Sequence, residues 1–299
     1  MIDVCLLGTG GMMPLPNRSL TALYVRNGSR ALLIDCGEGT QTAIRSASLR
    51  FKAIEAILIT HFHADHMSGL PGLLLTLGNE GRTEPLAMYG PVGLERTVNG
   101  LRAIVPELPF EIECHEFSDQ ECAHFTCAGM EADVFPADHG IPCLGYRLQL
   151  KRKGKFDPQS ARAKGIPVQL WGRLQKGECV DGFTPDDVLG APRRGLSILY
   201  STDTRPVPGI EEYGQEADLL ILEGMFGEHD KQERAEISHH MMMQEAADIA
   251  HRVNAKELWL THFSPATMNP EEFEAELKEI FPNTVIGNDC LSKTLQFED

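Results

Sequence analysis

Short apolar runs recur along this chain, and each ends on a polar residue. Ala56-Ile57-Leu58-Ile59 ends at Thr60-His61, and Ser197-Ile198-Leu199-Tyr200 at Ser201-Thr202-Asp203. Leu219-Leu220-Ile221-Leu222 ends at Glu223, and Leu258-Trp259-Leu260 at Thr261-His262. Runs this short, without alternation, are consistent with strands covered on both faces. Helix-like stretches lie between them, from Met241 to Val253 and from Glu271 to Phe281. The first 60 residues read as strands in tight turns: Cys5-Leu6-Leu7 before Gly8-Thr9-Gly10-Gly11, then Ala22-Leu23-Tyr24-Val25, then Ala31-Leu32-Leu33-Ile34-Asp35. A helix-like stretch follows from about Thr40 to Ser48. Buried strands alternating with helices predict a layered α/β fold. Its polar strand ends lie at the carboxyl edge, where such folds build active sites.

No repeat and no long linker divides the 299 residues, which predicts one domain over 1–299. The chain carries 43 acids against 27 Lys plus Arg, a net charge of −16. That surplus disfavours binding to phosphate polymers over the whole surface, so any basic contact must be local. One segment provides it. Lys151, Arg152, Lys153, Lys155, Arg162 and Lys164 face a single acid, Asp157, in a stretch punctuated by Gly154, Pro158, Gly165 and Pro167. Residues 151–194, with Trp171 among them, are expected to form an inserted arm. The eight cysteines include no CxxC pair and read as reduced thiols. No apolar run reaches the roughly 20 residues of a membrane span. The amino terminus has no basic flank and no apolar signal block, which predicts a cytoplasmic protein that meets no membrane.

The strongest chemical signal is His61-Phe62-His63-Ala64-Asp65-His66, directly after a buried strand. Imidazole and carboxylate are ligands that suit zinc. His61 and His63 are placed to converge on one ion, Asp65 and His66 to face a second. This string resembles the hallmark of the metallo-β-lactamase superfamily. That resemblance implies an αββα sandwich with a two-metal site at the sheet edges. It also implies three further ligands in order: His139 in Asp138-His139-Gly140, Asp203 after Thr202, and His262 after Thr261. One zinc would then sit on His61, His63 and His139, the other on Asp65, His66 and His262, with Asp203 bridging. Paired zinc ions acidify water and neutralise charge on a phosphate or carbonyl, which suits hydrolysis. Asp65 is the candidate for orienting the attacking water or taking its proton.

Within that superfamily the chain is similar to the ribonuclease Z family along nearly its whole length. The similarity rests on Leu6 to Gly11 with Pro14 and Arg18, on Leu33 to Gln41, on Gly69-Leu70-Pro71-Gly72, on Tyr89-Gly90-Pro91, on Leu144-Gly145-Tyr146-Arg147 and on Ser201 to Arg205. It implies removal of 3′ trailers from tRNA precursors. It places Lys151, Arg152, Lys153 and Lys155 in a tRNA-gripping arm, where Trp171 either stacks on a base or ribose or packs the arm against its own stem, and it implies a homodimer in which one subunit's arm serves its partner's site. It also implies a leaving-group helper, His240, oriented by Glu223. His239 is the adjacent alternative, and Met241-Met242-Met243 behind them reads as core or as an exposed lip. Two departures touch substrate handling: Ala266 and Thr267 stand where the family has Arg and Tyr, and Val168-Gln169 where the arm has Gly-Pro. The competing reading is a hydrolase of a small phosphodiester or ester, such as a cyclic nucleotide. A scaffold without catalysis would not be expected to keep all seven ligands.

Overall fold

Side-chain alternation along each central strand decides where the layers go. The computed structural model describes residues 1–105 and 107–298. In β1 (Ile2–Gly8), Ile2, Val4 and Leu6 join one apolar cluster while Cys5 and Leu7 join another on the opposite face. The first sheet adds β2 (Ala22–Asn27), β3 (Arg30–Ile34), β4 (Ile54–Leu58), β5 (Leu86–Pro91) and β6 (Ile112–Phe117). The second contains β7 (Ala123–Cys127), β8 (Met130–Ala137), β9 (Cys143–Arg152), β10 (Arg193–Ser201), β11 (Leu219–Glu223), β12 (Leu258–Thr261) and β13 (Thr284–Ile286). β14 (Ser292–Leu295) returns to close the first sheet's edge against β1. The strand orders are β14-β1-β2-β3-β4-β5-β6 and β13-β12-β11-β10-β9-β8-β7. Strands β3 to β6 run parallel, as do β10 to β13.

One core lies between the sheets, from Ile2 and Leu32 to Tyr146, Ile198 and Trp259. The outer faces are covered by helices. Residues Thr40–Ser46, Leu70–Asn79 and Leu94–Leu101 cover the first sheet, and Pro208–Gly214, Met243–Arg252 and Glu274–Ile280 the second. The result is the expected αββα sandwich. Its central strands are mostly apolar because both faces are covered, each buried Leu or Ile contributing about 1.5–3 kcal/mol.

The two sheets are stitched together beside the metal-type motif. Tyr146 Oη donates to the Ile59 carbonyl at 2.6 Å, and the Leu144 amide donates to the Thr60 carbonyl at 3.0 Å. His61 is the next residue.

Residues beyond Arg152 leave the sandwich on the β9–β10 ladder and return at Arg193, its register partner. Between them lie helices Pro158–Ala163 and Val168–Lys176 and a small apolar cluster: Ala161, Ile166, Leu174, Val180 and Val188. Trp171 packs into that cluster, donating Nε1–H to the Ile166 carbonyl at 3.0 Å, with the Arg162 guanidinium 5.8 Å from its ring centre. Of the basic residues, Lys151 pairs with Glu131 and Lys164 with Asp187. Arg152 lies over Phe297. Lys155 is exposed and forms no ion pair among the described residues. No helix among them is long and apolar enough to cross a membrane. All eight cysteines are free thiols, four of them buried.

Candidate metal centre

The carboxyl ends of β3, β4, β8, β10, β11 and β12 converge on one edge. They bring Asp35, the His61–His66 segment, His139, Asp203, Glu223 and His262 together. Asp35, Asp203 and His262 each have φ above +50°, a left-handed backbone that costs a non-glycine residue free energy. The chain turns sharply there, so each polar side chain swings across the strand end. Short helix Ala64–Met67 does the same for Asp65 and His66.

Ligand-type atoms fall into groups whose members all lie within 4.8 Å of one another: His61, His63, His139 and Asp203 in one, Asp65, His66 and His262 in another. A third, Asp203, His240 and His262, was not foreseen from the sequence. Ring nitrogens face each other at 3.2 Å between His63 Nδ1 and His139 Nε2, and at 3.2 Å between His66 Nε2 and His262 Nε2. Asp203 Oδ1 is 3.2 Å from both His66 Nε2 and His262 Nε2, and its Oδ2 is 3.8 Å from His61 Nε2.

These residues fit paired zinc. Two nitrogens bound tetrahedrally at 2.0–2.1 Å stand about 3.3 Å apart. His61 Nε2 is fully buried and has no hydrogen-bond partner among the described residues, a cost that a cation would remove. A Cβ on Gly11 would lie 2.6 Å from the His262 ring, so only glycine lets that imidazole reach the cluster.

The surrounding groups fix the ring orientations. Asp35 accepts from the Thr60 amide at 2.8 Å, and its Oδ2 lies 2.8 Å from His66 Nδ1, leaving His66 Nε2 aimed at the site. His139 Nδ1 is 3.3 Å from the His239 carbonyl, which a left-handed backbone at His239 presents. Asp65 Oδ2 accepts from the Met12 amide at 2.7 Å. Burial pushes His61 and His139 toward neutrality. Burial opposes charge on His66 too, but Asp203 and Asp35 outweigh it and hold its pKa well above the usual value. The Asp65 and Asp203 carboxyls stay ionised despite burial, because the imidazoles around them favour the charged form.

His240 stands apart in chemistry. Its ring is 5.7 Å from that of His262 and 5.2 Å from that of His139. Its Nδ1 is 2.9 Å from Oε2 of fully buried Glu223, whose Oε1 accepts from the Thr204 amide at 2.7 Å. His239 instead turns outward to Asp138 at 2.9 Å. The His240 carbonyl is held by Arg205, itself paired with Glu245. Met241, Met242 and Met243 are all buried.

Sequence reasoning assigned no role to Asp35, Arg205 or Glu245. Asp35 was within reach of it, being another polar residue at the end of an apolar strand. Of the two substituted positions after His262, Ala266 is exposed and Thr267 folds inward: it is buried, and its carbonyl accepts from Arg18 at 3.2 Å.

A four-layer sandwich with histidine and aspartate clusters at one sheet edge defines a metallo-β-lactamase-fold hydrolase. Residues 159–263 match the family model described as a beta-lactamase superfamily domain, and residues 2–102 the one described as anti-Pycsar protein Apyc1. The chain is 49% identical to a ribonuclease Z of Agathobacter rectalis, with 100% of each covered. It is 50% identical to a ribonuclease Z of Lachnoclostridium phytofermentans, over 100% of this chain and 99% of that one. The crystal structure of human tRNase Z, short form, superposes with a TM-score of 0.72 at 26% identity, covering 99% of this chain and 100% of that chain. The chain belongs to the ribonuclease Z family. It is an enzyme, a metal-dependent endoribonuclease.

Proposed function

We propose that the protein removes 3′ trailers from tRNA precursors at a two-zinc site, with His61, His63 and His139 holding one ion and Asp65, His66 and His262 the other. Asp203 lies between the two sets, and its two oxygens point to different ones. That split is the observation that supports the reading most directly. When bound, the ions would lower the pKa of water near 7 and screen negative charge on the scissile phosphate.

The chain's own residues supply the rest. Asp65 orients the attacking water through a carboxylate fixed by the Met12 amide. His240, charged through Glu223, donates a proton to the leaving ribose oxygen. Residues 151–194 act as an arm whose exposed cations, Lys153, Lys155 and Arg162 foremost, contact tRNA phosphates, with Lys151 and Arg152 at its stem. Trp171 holds the arm's shape from within. The arm of one copy serves the active site of the other in a homodimer.

The test is cleavage of a 3′-extended tRNA precursor by zinc-loaded protein, with Asp65→Ala as control. Cleavage next to the discriminator base, absent in the control, supports the proposal. Failure on the precursor with retained hydrolysis of a simple phosphodiester rejects it.

A further inference from the structure

The catalytic clusters form only part of the lining of a cavity of about 470 Å³. His63, Asp65, His139, Asp203 and His240 line it, together with Met225, Phe226, Arg234 and Ser238. Phe226 is buried. It packs with Met225, Ala235 and Met242, and its carbonyl accepts from the Met243 amide at 2.8 Å. Its ring sits 6.3 Å from that of His240 in an edge-on arrangement. The Arg234 guanidinium lies 5.7 Å from the centre of the same ring. Phe226 therefore neighbours both the proton-donating His240 and Arg234.

Arg234 belongs to helix Gln232–Ile237, whose end is fixed by Ser238 Oγ donating to the Arg234 carbonyl at 2.7 Å. The side chain is exposed and meets no carboxylate within ion-pair distance among the described residues. In a chain with 43 acids, many arginines are paired: Arg26 with Asp3, Arg30 with Glu55, Arg205 with Glu245, Arg252 with Glu211. An unpaired planar cation at a pocket rim is suited to a phosphate oxygen.

Building on the phosphodiesterase reading above, we propose that Arg234 is a specificity-determining residue. It binds the phosphate next to the scissile one, on the nucleotide that carries the leaving oxygen. The direction follows from Phe226: His240 serves the leaving oxygen, and Arg234 is the exposed cation that shares its aromatic neighbour. Such a contact discriminates a polynucleotide from a lone phosphodiester, which has no adjoining phosphate to offer.

The experiment uses precursor tRNA whose adjoining linkage is either a normal phosphate or an uncharged methylphosphonate. With the native protein, the neutral linkage is expected to lower kcat/KM about tenfold, the effect of one charged hydrogen bond. Arg234→Ala is expected to lose a similar factor on the normal substrate and nothing further on the neutral one, with its salt slope shallower by about one. Arg234→Lys should recover part of the loss. If the neutral linkage costs Arg234→Ala another tenfold, or the variant matches the native protein on both substrates, the assignment is overturned. If the native protein cuts no precursor at all, the phosphodiesterase reading falls and takes this proposal with it.

Discussion

His240 Nδ1 lies 2.9 Å from Glu223 Oε2, and no solvent reaches that carboxylate. Burial alone would keep the imidazole neutral, but the charge and hydrogen bond of Glu223 outweigh it and raise the pKa to about 9. The protonated form, the one that can donate, therefore predominates at neutral pH and is lost as pH rises through about 9. Glu223→Gln removes the charge and keeps the shape. Its alkaline limb in a kcat–pH profile is expected to move down by about 1–2 units. His240→Ala should lower kcat by about 10²–10⁴-fold with little change in KM. An unmoved limb in Glu223→Gln would show that the titrating acid is a different group. The same linkage sets a stability trend. A raised histidine pKa stabilises fully below the unfolded value near 6.5, and the gain fades as pH climbs through about 9.

Asp65 meets three partners at once: the Met12 amide at 2.7 Å, His262 Nε2 at 3.3 Å and His66 Nε2 at 3.7 Å. Asp65→Ala is expected to reduce hydrolysis of any phosphodiester by at least about 10³-fold while circular dichroism stays native. The β4 strand and the helix below the motif are held by apolar packing independent of this carboxylate. Activity near the native level would reject the two-metal reading.

Asp35 acts through His66. The 2.8 Å approach to Nδ1 leaves Nε2 facing the cluster, and Asp35 raises the His66 pKa together with Asp203. Metal binding must expel the His66 proton, so zinc affinity is expected to fall as pH falls. Asp35→Asn weakens the orienting contact and should lower zinc affinity about 10–100-fold, read by competition with a chelator dye. Stripping zinc from the native protein should lower the melting temperature, and returning it should restore both stability and activity. A melting curve indifferent to chelator would count against metal at this site.

What the sequence disclosed and what it hid follow from the range of the interactions. The His61–His66 string is local, so its chemistry was legible in six residues. The central strands were legible because burial on both faces leaves few polar residues in them. Edge elements such as β6, whose exposed positions mix Glu113, His115 and Glu116 with apolar residues, carry no such signature. The choice between His239 and His240 depends on which one meets Glu223, 17 residues away in sequence for His240. That in turn depends on the left-handed turn at His239 and on Arg205, paired with Glu245, holding the His240 carbonyl. Which arm cations are spent was equally hidden, because Glu131 reaches Lys151 from β8 and Asp187 reaches Lys164 from the arm's far side.

The arm offers the last prediction. Lys153 and Lys155 are exposed, and Lys155 forms no internal ion pair among the described residues, so their charge is available to a polyanion. Replacing Lys151, Arg152, Lys153 and Lys155 with alanine should raise KM for precursor tRNA more than it alters kcat, and flatten the dependence of affinity on salt. If each arm serves the partner's active site, a mixture of this variant with Asp65→Ala becomes the decisive measurement. Each variant alone is impaired, one in gripping and one in chemistry. A mixed dimer would pair the intact arm of the Asp65→Ala subunit with the intact metal site of the other. Activity should therefore reappear on mixing and subunit exchange, toward the share of subunits so paired. If the arm served its own subunit's site, every site in the mixture would still lack either its grip or its carboxylate, and mixing would restore nothing.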